Sequence, residues 1–137
     1  MTDSGRGLLR IMQILSAIVL FAIAAIHLFL VFDGVGGVLG VLFILNAVAG
    51  VVLAVGMLAL HRGMLAIASV LSLLFIIASL VALLMALTVG LFGIREIWTF
   101  TLVPETIVVE AIGVVVLAIT SAVALRTRRV IGAPSRI

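Results

Sequence analysis

Four long apolar runs, separated by short stretches of glycine, charge and proline, occupy most of this chain. They cover about residues 9–32, 38–60, 64–92 and 104–125. A helix needs about 20 apolar residues to cross roughly 30 Å of hydrocarbon, and each run reaches that length. None shows the polar stripe of a surface helix or the strict alternation of a barrel strand. Of the 137 residues, 66% are hydrophobic and 9% charged, against about 45–50% and about 25% in soluble domains. A globule this small has too much surface to hide so much apolar material, so lipid must face the outside. The expectation is an all-α, integral membrane four-helix bundle of up-down topology, forming one domain over residues 1–137.

The breaks carry turn chemistry. Asp33-Gly34-Val35-Gly36-Gly37 is a glycine-rich turn and His61-Arg62-Gly63 a tight polar one. Residues 93–103 form a longer loop, and Pro104 opens the fourth run as a first-turn proline. Within that loop Ile94, Ile97, Trp98 and Thr101 recur at helical spacing, and Trp98 and Phe100 suit the headgroup boundary. The loop is expected to lie on the membrane surface.

Charge placement orients the chain. All eight basic residues are arginine. Arg6 and Arg10 precede the first run, Arg62 sits in the second turn, and Arg126, Arg128, Arg129 and Arg136 follow the fourth run. The opposite side holds Asp33, Glu96 and Glu105 with only Arg95. By the positive-inside rule both termini are cytoplasmic (N-in/C-in) and the protein is multi-pass in the plasma membrane. The tail, residues 126–137, chiefly sets orientation. Arg126, Arg128 and Arg129 also offer anionic lipid headgroups about 1 kcal/mol per basic residue. Ala22-Ile23-Ala24 resembles a signal-peptidase site, but the apolar run continues to Phe32, well past the usual core of about 7–15 residues. The first run is therefore read as a retained span.

Several chemistries are excluded. Without cysteine there is no disulfide or thiolate metal site. No metalloprotease, P-loop, dinucleotide-binding or nucleophile–base motif is present, so no enzyme is expected. The isoelectric point near 11.5 reflects a net charge of +3 on few ionisable groups. The arginines do not interleave with aromatics, so no nucleic acid is expected as a partner.

Small residues that let helices approach recur at spacings of three, four and seven. Gly36 and Gly40, Gly50 and Ala54, and Ala82, Ala86 and Gly90 form such sets, as do Ser72 and Ser79. Gln13, Ala17, Ala24 and His27 share one face of the first run, and Glu110, Gly113, Leu117 and Ser121 one of the fourth. These stripes serve a compact bundle or a homo-oligomer.

Three polar residues fall inside the runs, and such groups are costly unless they face the bundle interior. Helix rise places His27 and Glu110 about 9 Å deep and Asn46 about 12 Å deep, all in the outer half. Asp33, Arg95, Glu96 and Glu105 ring the mouth above them. The favoured reading is a hydrogen-bonded knot that locks helix packing. The alternative is an outward-facing ligand pocket of His27, Asn46, Glu110, Asp33, Arg95 and Glu96, in which His27 and Glu110 pair or share a proton. Arg95 could equally neutralise Glu110 or Glu96. One histidine with carboxylates is a weak metal set, so no metal is expected. His27 and His61 fall at opposite membrane faces, about 20 Å or more apart. That excludes a bis-histidine haem within one chain, and no cofactor is expected.

At His27-Leu-Phe-Leu-Val-Phe-Asp33, Leu42-Phe-Ile-Leu-Asn-Ala-Val-Ala-Gly50 and Thr88-Val-Gly-Leu-Phe-Gly-Ile-Arg-Glu96 the chain resembles a family of small four-helix membrane proteins common in actinobacteria. That family has no assigned activity, so the resemblance implies the four-helix fold and a purposeful use of His27, Asn46 and Glu96, but no catalytic role. Two functions follow as expectations. One is a non-catalytic accessory or scaffold subunit acting on a larger membrane partner through helix contacts. The other is a small transporter or ligand-binding membrane protein with an outward-facing polar pocket. The first predicts a mutually satisfied polar knot without a cavity, and the second predicts a cavity that reaches Glu110.

Overall fold

The computed structural model describes residues 3–131, with side chains described for residues 4–127. The side chains of Arg128 and Arg129, and all of Arg136, lie outside the described residues. Four helices are present: α1 Asp3–Phe32, α2 Gly37–Ala59, α3 Arg62–Thr88 and α4 Val103–Ile131. They make up about 84% of the described residues, which contain no strand. All four are long and apolar enough to cross a membrane, and most of each span is turned outward. The outward positions are apolar: Leu45, Val52, Leu74 and Val115 each stay more than half exposed. Such a surface belongs in hydrocarbon, and the protein is a multi-pass membrane protein.

Three helix ends differ from the apolar runs. Helix α1 begins at Asp3 rather than near Leu9, and α4 continues past Leu125 to Ile131. An apolar run measures the membrane, whereas the helix continues into the interface as long as its backbone bonds are made. Thr127, for example, donates its hydroxyl to Val123 O at 3.0 Å within the extra turn of α4. Helix α3 is shorter than its run, ending at Thr88 instead of residue 92. The N–H groups of Val89 and Gly90 both donate to Met85 O, and Gly90 takes φ +90°. The chain then leaves the helix through a backbone shape that favours glycine. Leu91 and Phe92 are apolar enough to extend the run but lie beyond this turn.

Residues 89–102 do not form the helical pattern suggested by Ile94, Ile97, Trp98 and Thr101. Leu91 and Ile94 exchange two backbone hydrogen bonds of 2.8 Å around Phe92 and Gly93, both at positive φ. This is the two-residue turn of a tight hairpin. The loop then folds back onto α3, where Glu96 N–H donates to Ala86 O at 3.0 Å. Ile97 and Trp98 are left exposed at the rim. By contrast, the α1–α2 turn forms as its glycines predict. Val35 N–H donates to Leu30 O, Gly34 N–H to Val31 O, and Gly34 has φ +107°. That pair of bonds is a Schellman ending.

Helix α1 packs along both α2 and α4, α4 takes α3 on another face, and α2 and α3, although only Leu60 and His61 join them, touch less than any of these pairs. The small-residue stripes make the close contacts. A Cβ at Gly50 would lie 3.1 Å from Ala24 Cβ and 3.2 Å from Leu20 O, and one at Gly113 would collide with Ile76 and Val19. The core gathers around Leu20, Ile23, Met57, Ile76 and Leu117, all fully buried, together with Ala17, Ala54, Leu65 and Ala68. Most of these residues lie towards the α2–α3 turn, the half expected from the arginines to be the inner one.

Candidate functional site

Helices α2 and α3 are joined at one end and held apart at the other. In the half away from their turn, expected to be the outer one, a cavity of about 410 Å³ opens between them, floored by α1 and α4 and roofed by the 89–102 loop. Its walls are mostly apolar: Phe43 and Leu45 from α2, Phe75 and Leu83 from α3, and Phe92 and Phe100 from the loop.

The polar groups collect at its base. Asn46 of α2 donates through Nδ2 to Ser79 Oγ of α3 at 3.0 Å. Ser79 Oγ donates in turn to Glu110 Oε1 of α4 at 2.5 Å. Ser79 thus joins three helices at one level, with its single proton aimed at the carboxylate. Glu110 is fully buried, and its Oε2 has no hydrogen-bond partner among the described residues, nor does Asn46 Oδ1. Each buried unpaired acceptor costs about 1–3 kcal/mol, and hydrocarbon offers no water to reduce that.

His27 lines the same cavity but stands apart from the Asn46–Ser79–Glu110 chain. Its Nδ1 lies 2.9 Å from Ile23 O, one turn back on α1. A carbonyl can only accept, so Nδ1 carries the proton of this bond and, in the neutral ring, Nε2 is an acceptor. The ring meets Phe43 edge-on at 5.0 Å. The expected pairing or shared proton between His27 and Glu110 is therefore not formed: Ile23 O takes the histidine and Ser79 takes the carboxylate.

The remaining expected site residues divide. Glu96 reaches the cavity wall from the roof, and burial pushes its carboxyl above the ordinary carboxylate range. Asp33 is exposed on the α1–α2 turn and is not part of the wall. Arg95 is exposed and neutralises neither glutamate. Its guanidinium donates to Thr88 O at 3.1 Å, satisfying a carbonyl at the end of α3. Glu105 lies exposed in the first turn of α4, where a carboxylate is favoured by the helix dipole. His61 is exposed at the start of α3, at the opposite end of the bundle from His27. No group of three or more His, Asp or Glu side chains converges on a point among the described residues.

Ser79, the joint of the site, was legible only as a packing residue. It could have been found by depth, since it stands nine residues from the outer end of α3 as Asn46 stands nine from the outer end of α2. Comparison of the chain with known proteins returns no matching family model, no similar curated protein and no similar solved structure. The arrangement is an apolar chamber whose lining residues include two with unpaired acceptors, Asn46 and Glu110.

Proposed function

We propose that this chain is a non-catalytic, ligand-binding protein of the plasma membrane, with both termini cytoplasmic and its cavity opening in the outer half. One observation carries this reading. An apolar cavity of about 410 Å³ ends on an Asn46–Ser79–Glu110 chain that still has two unpaired acceptors. Its volume falls within the range of small-molecule sites, about 300–1,000 Å³, and apolar walls with a few convergent polar groups are the usual composition of such sites. An accessory subunit acting through helix contacts alone would be expected to close this space.

Orientation rests on the arginines. Among the described residues Arg6, Arg10, Arg62 and Arg126 cluster at one end of the bundle, and only Arg95 lies at the other.

The absence of cysteine makes the test direct, because any introduced thiol is unique. Ala82→Cys on the cavity wall should react readily with a lipid-soluble maleimide, while Ala68→Cys in the core should stay protected. Equal protection of both thiols would mean that the space between α2 and α3 is closed. A membrane-impermeant maleimide applied to intact cells should label Asp33→Cys and spare Arg62→Cys. The reverse pattern would invert the topology and place the cavity in the inner leaflet.

A further inference from the structure

The ligand class can be narrowed from the shape, the sides and the base of the cavity, and this step rests on the binding function proposed above. At about 30 Å³ for each water-sized group, 410 Å³ admits roughly fourteen non-hydrogen atoms. That is one short chain with a small head, and it is too little for a two-chain phospholipid.

The route in is lateral. Leu42 and Leu45 of α2 and Ala78 of α3 line the cavity and also keep exposed surface, so the gap between the two helices faces hydrocarbon. All three lie within one turn of Asn46 or Ser79, which puts the gap at the level of the polar base. A molecule already dissolved in the outer leaflet reaches that base without passing through water.

The base offers acceptors. Asn46 Oδ1 and Glu110 Oε2 are buried without partners, and His27 Nε2 adds a third acceptor when its ring is neutral. The Ser79 proton and one of the two Asn46 amide protons are already spent within the chain of bonds, which leaves one amide N–H as a donor. Acceptors therefore outnumber donors at the base, so a head that donates is matched better than one that only accepts, and a carboxylate head also meets two glutamates, Glu110 at the base and Glu96 in the roof.

We infer that the cavity binds a single-chain amphiphile whose head donates hydrogen bonds, either a hydroxyl or an ammonium group. The head lodges against Asn46 and Glu110, and the chain lies along the apolar gap between α2 and α3.

The test uses the full-length protein in lipid nanodiscs, with decanol, decylamine and decanoate as probes of equal chain length. Binding is read by calorimetry and by the emission of Trp98, the only tryptophan, in the cavity's roof loop. Decanol and decylamine should bind at least roughly tenfold more tightly than decanoate, the span of one or two hydrogen bonds to charged or buried groups. Glu110→Gln, which supplies an amide donor at the base, should reduce that preference, and its thermal melt shows whether the fold is kept. Ala82→Phe, which fills the chamber, should abolish binding of all three. Decanoate binding as tightly as the other two, with Ala82→Phe still blocking, would overturn the donor-head inference and leave the cavity function standing. Binding that survives Ala82→Phe would overturn both. Failure of all three probes to bind, in a protein whose Ala82→Cys is labelled, would overturn the ligand class alone.

Discussion

The inner and outer halves of this bundle use the same kinds of residue to different ends. In the inner half the polar side chains work as helix ties. Gln13 of α1 donates to Met57 O of α2 at 3.0 Å, and Ser16 of α1 shares a 2.8 Å hydrogen bond with Thr120 of α4. Leu20, Met57 and Leu117 fill the space between them. Two inner hydroxyls, Ser72 and Ser121, have no partner among the described residues. A helical serine can turn its hydroxyl onto the carbonyl one turn back, so these are inexpensive. In the outer half α2 and α3 part, and the corresponding ties leave an amide oxygen and a carboxylate oxygen unpaired beside a cavity. Neither of those can find a partner by rotating within its own helix. The contrast teaches that polar residues at similar depth can close a bundle or hold part of it open, depending on whether their acceptors are matched by donors.

The largest effect should come from thinning the two halves in turn. Leu117→Ala removes a fully buried side chain from the inner core and should cost about 2–4 kcal/mol in unfolding by sodium dodecyl sulfate in mixed micelles. Leu83→Ala, on the cavity wall, should cost under about 1 kcal/mol, because the space around it is already open. Equal losses at the two positions would mean that the outer half is as tightly packed as the inner.

A smaller difference separates the polar ties. Ser79→Ala strips Asn46 and Glu110 of their shared partner and should destabilise by about 1–3 kcal/mol. Ser16→Ala breaks one interhelical bond and should cost about 0.6 kcal/mol, the average for such bonds in membranes. Asn46→Leu should be close to neutral in the same assay, since it removes an unpaired acceptor together with a bonded donor. Should Asn46→Leu prove as damaging as Ser79→Ala, the outer chain of bonds would be a structural tie like the inner ones.

How far the sequence carried this comparison depends on which physical signal each feature leaves. Hydropathy marks the spans because hydrocarbon imposes it on every residue, and the glycine-rich α1–α2 turn follows from backbone sterics at Gly34. The interior faces were legible too: Gln13, Ala17, Ala24 and His27 are all buried, as are Glu110, Gly113, Leu117 and Ser121. Hydropathy fails where an apolar chain leaves the helix, as at Leu91 and Phe92, and where a helix outlasts the membrane, as beyond Leu125. At the site, helix rise set the level of His27, Asn46 and Glu110 but not their rotation or their rotamers. Bonding directions therefore stayed hidden: His27 turns to its own helix, Arg95 caps α3, and Ser79 forms the joint. The cavity itself has no sequence signature, because it arises from the splay between two helices that a two-residue turn leaves free to separate.

The smallest expected effect lies in the roof, and it tests whether the outer half opens. Glu96 is bound to α3 only through its backbone N–H to Ala86 O, and its carboxyl is partly buried over an apolar chamber. Burial disfavours the charged form and raises its folded-state pKa. The sign follows from linkage: a raised carboxyl contributes stability that is fully present below its unfolded pKa and is lost as pH rises through the folded value. The roof should therefore dock most firmly in acid and loosen as the carboxylate forms and seeks water. Hydrogen exchange of the 89–102 amides, corrected for the intrinsic effect of pH, should accelerate across that interval in the native chain and stay flat in Glu96→Gln. The inner tie between Gln13 and Met57, which involves no titrating group, should show no such change in either protein. Exchange in the roof that is as flat in the native chain as in Glu96→Gln would mean that the carboxyl is already solvated, and the cavity would then be open to water at its mouth.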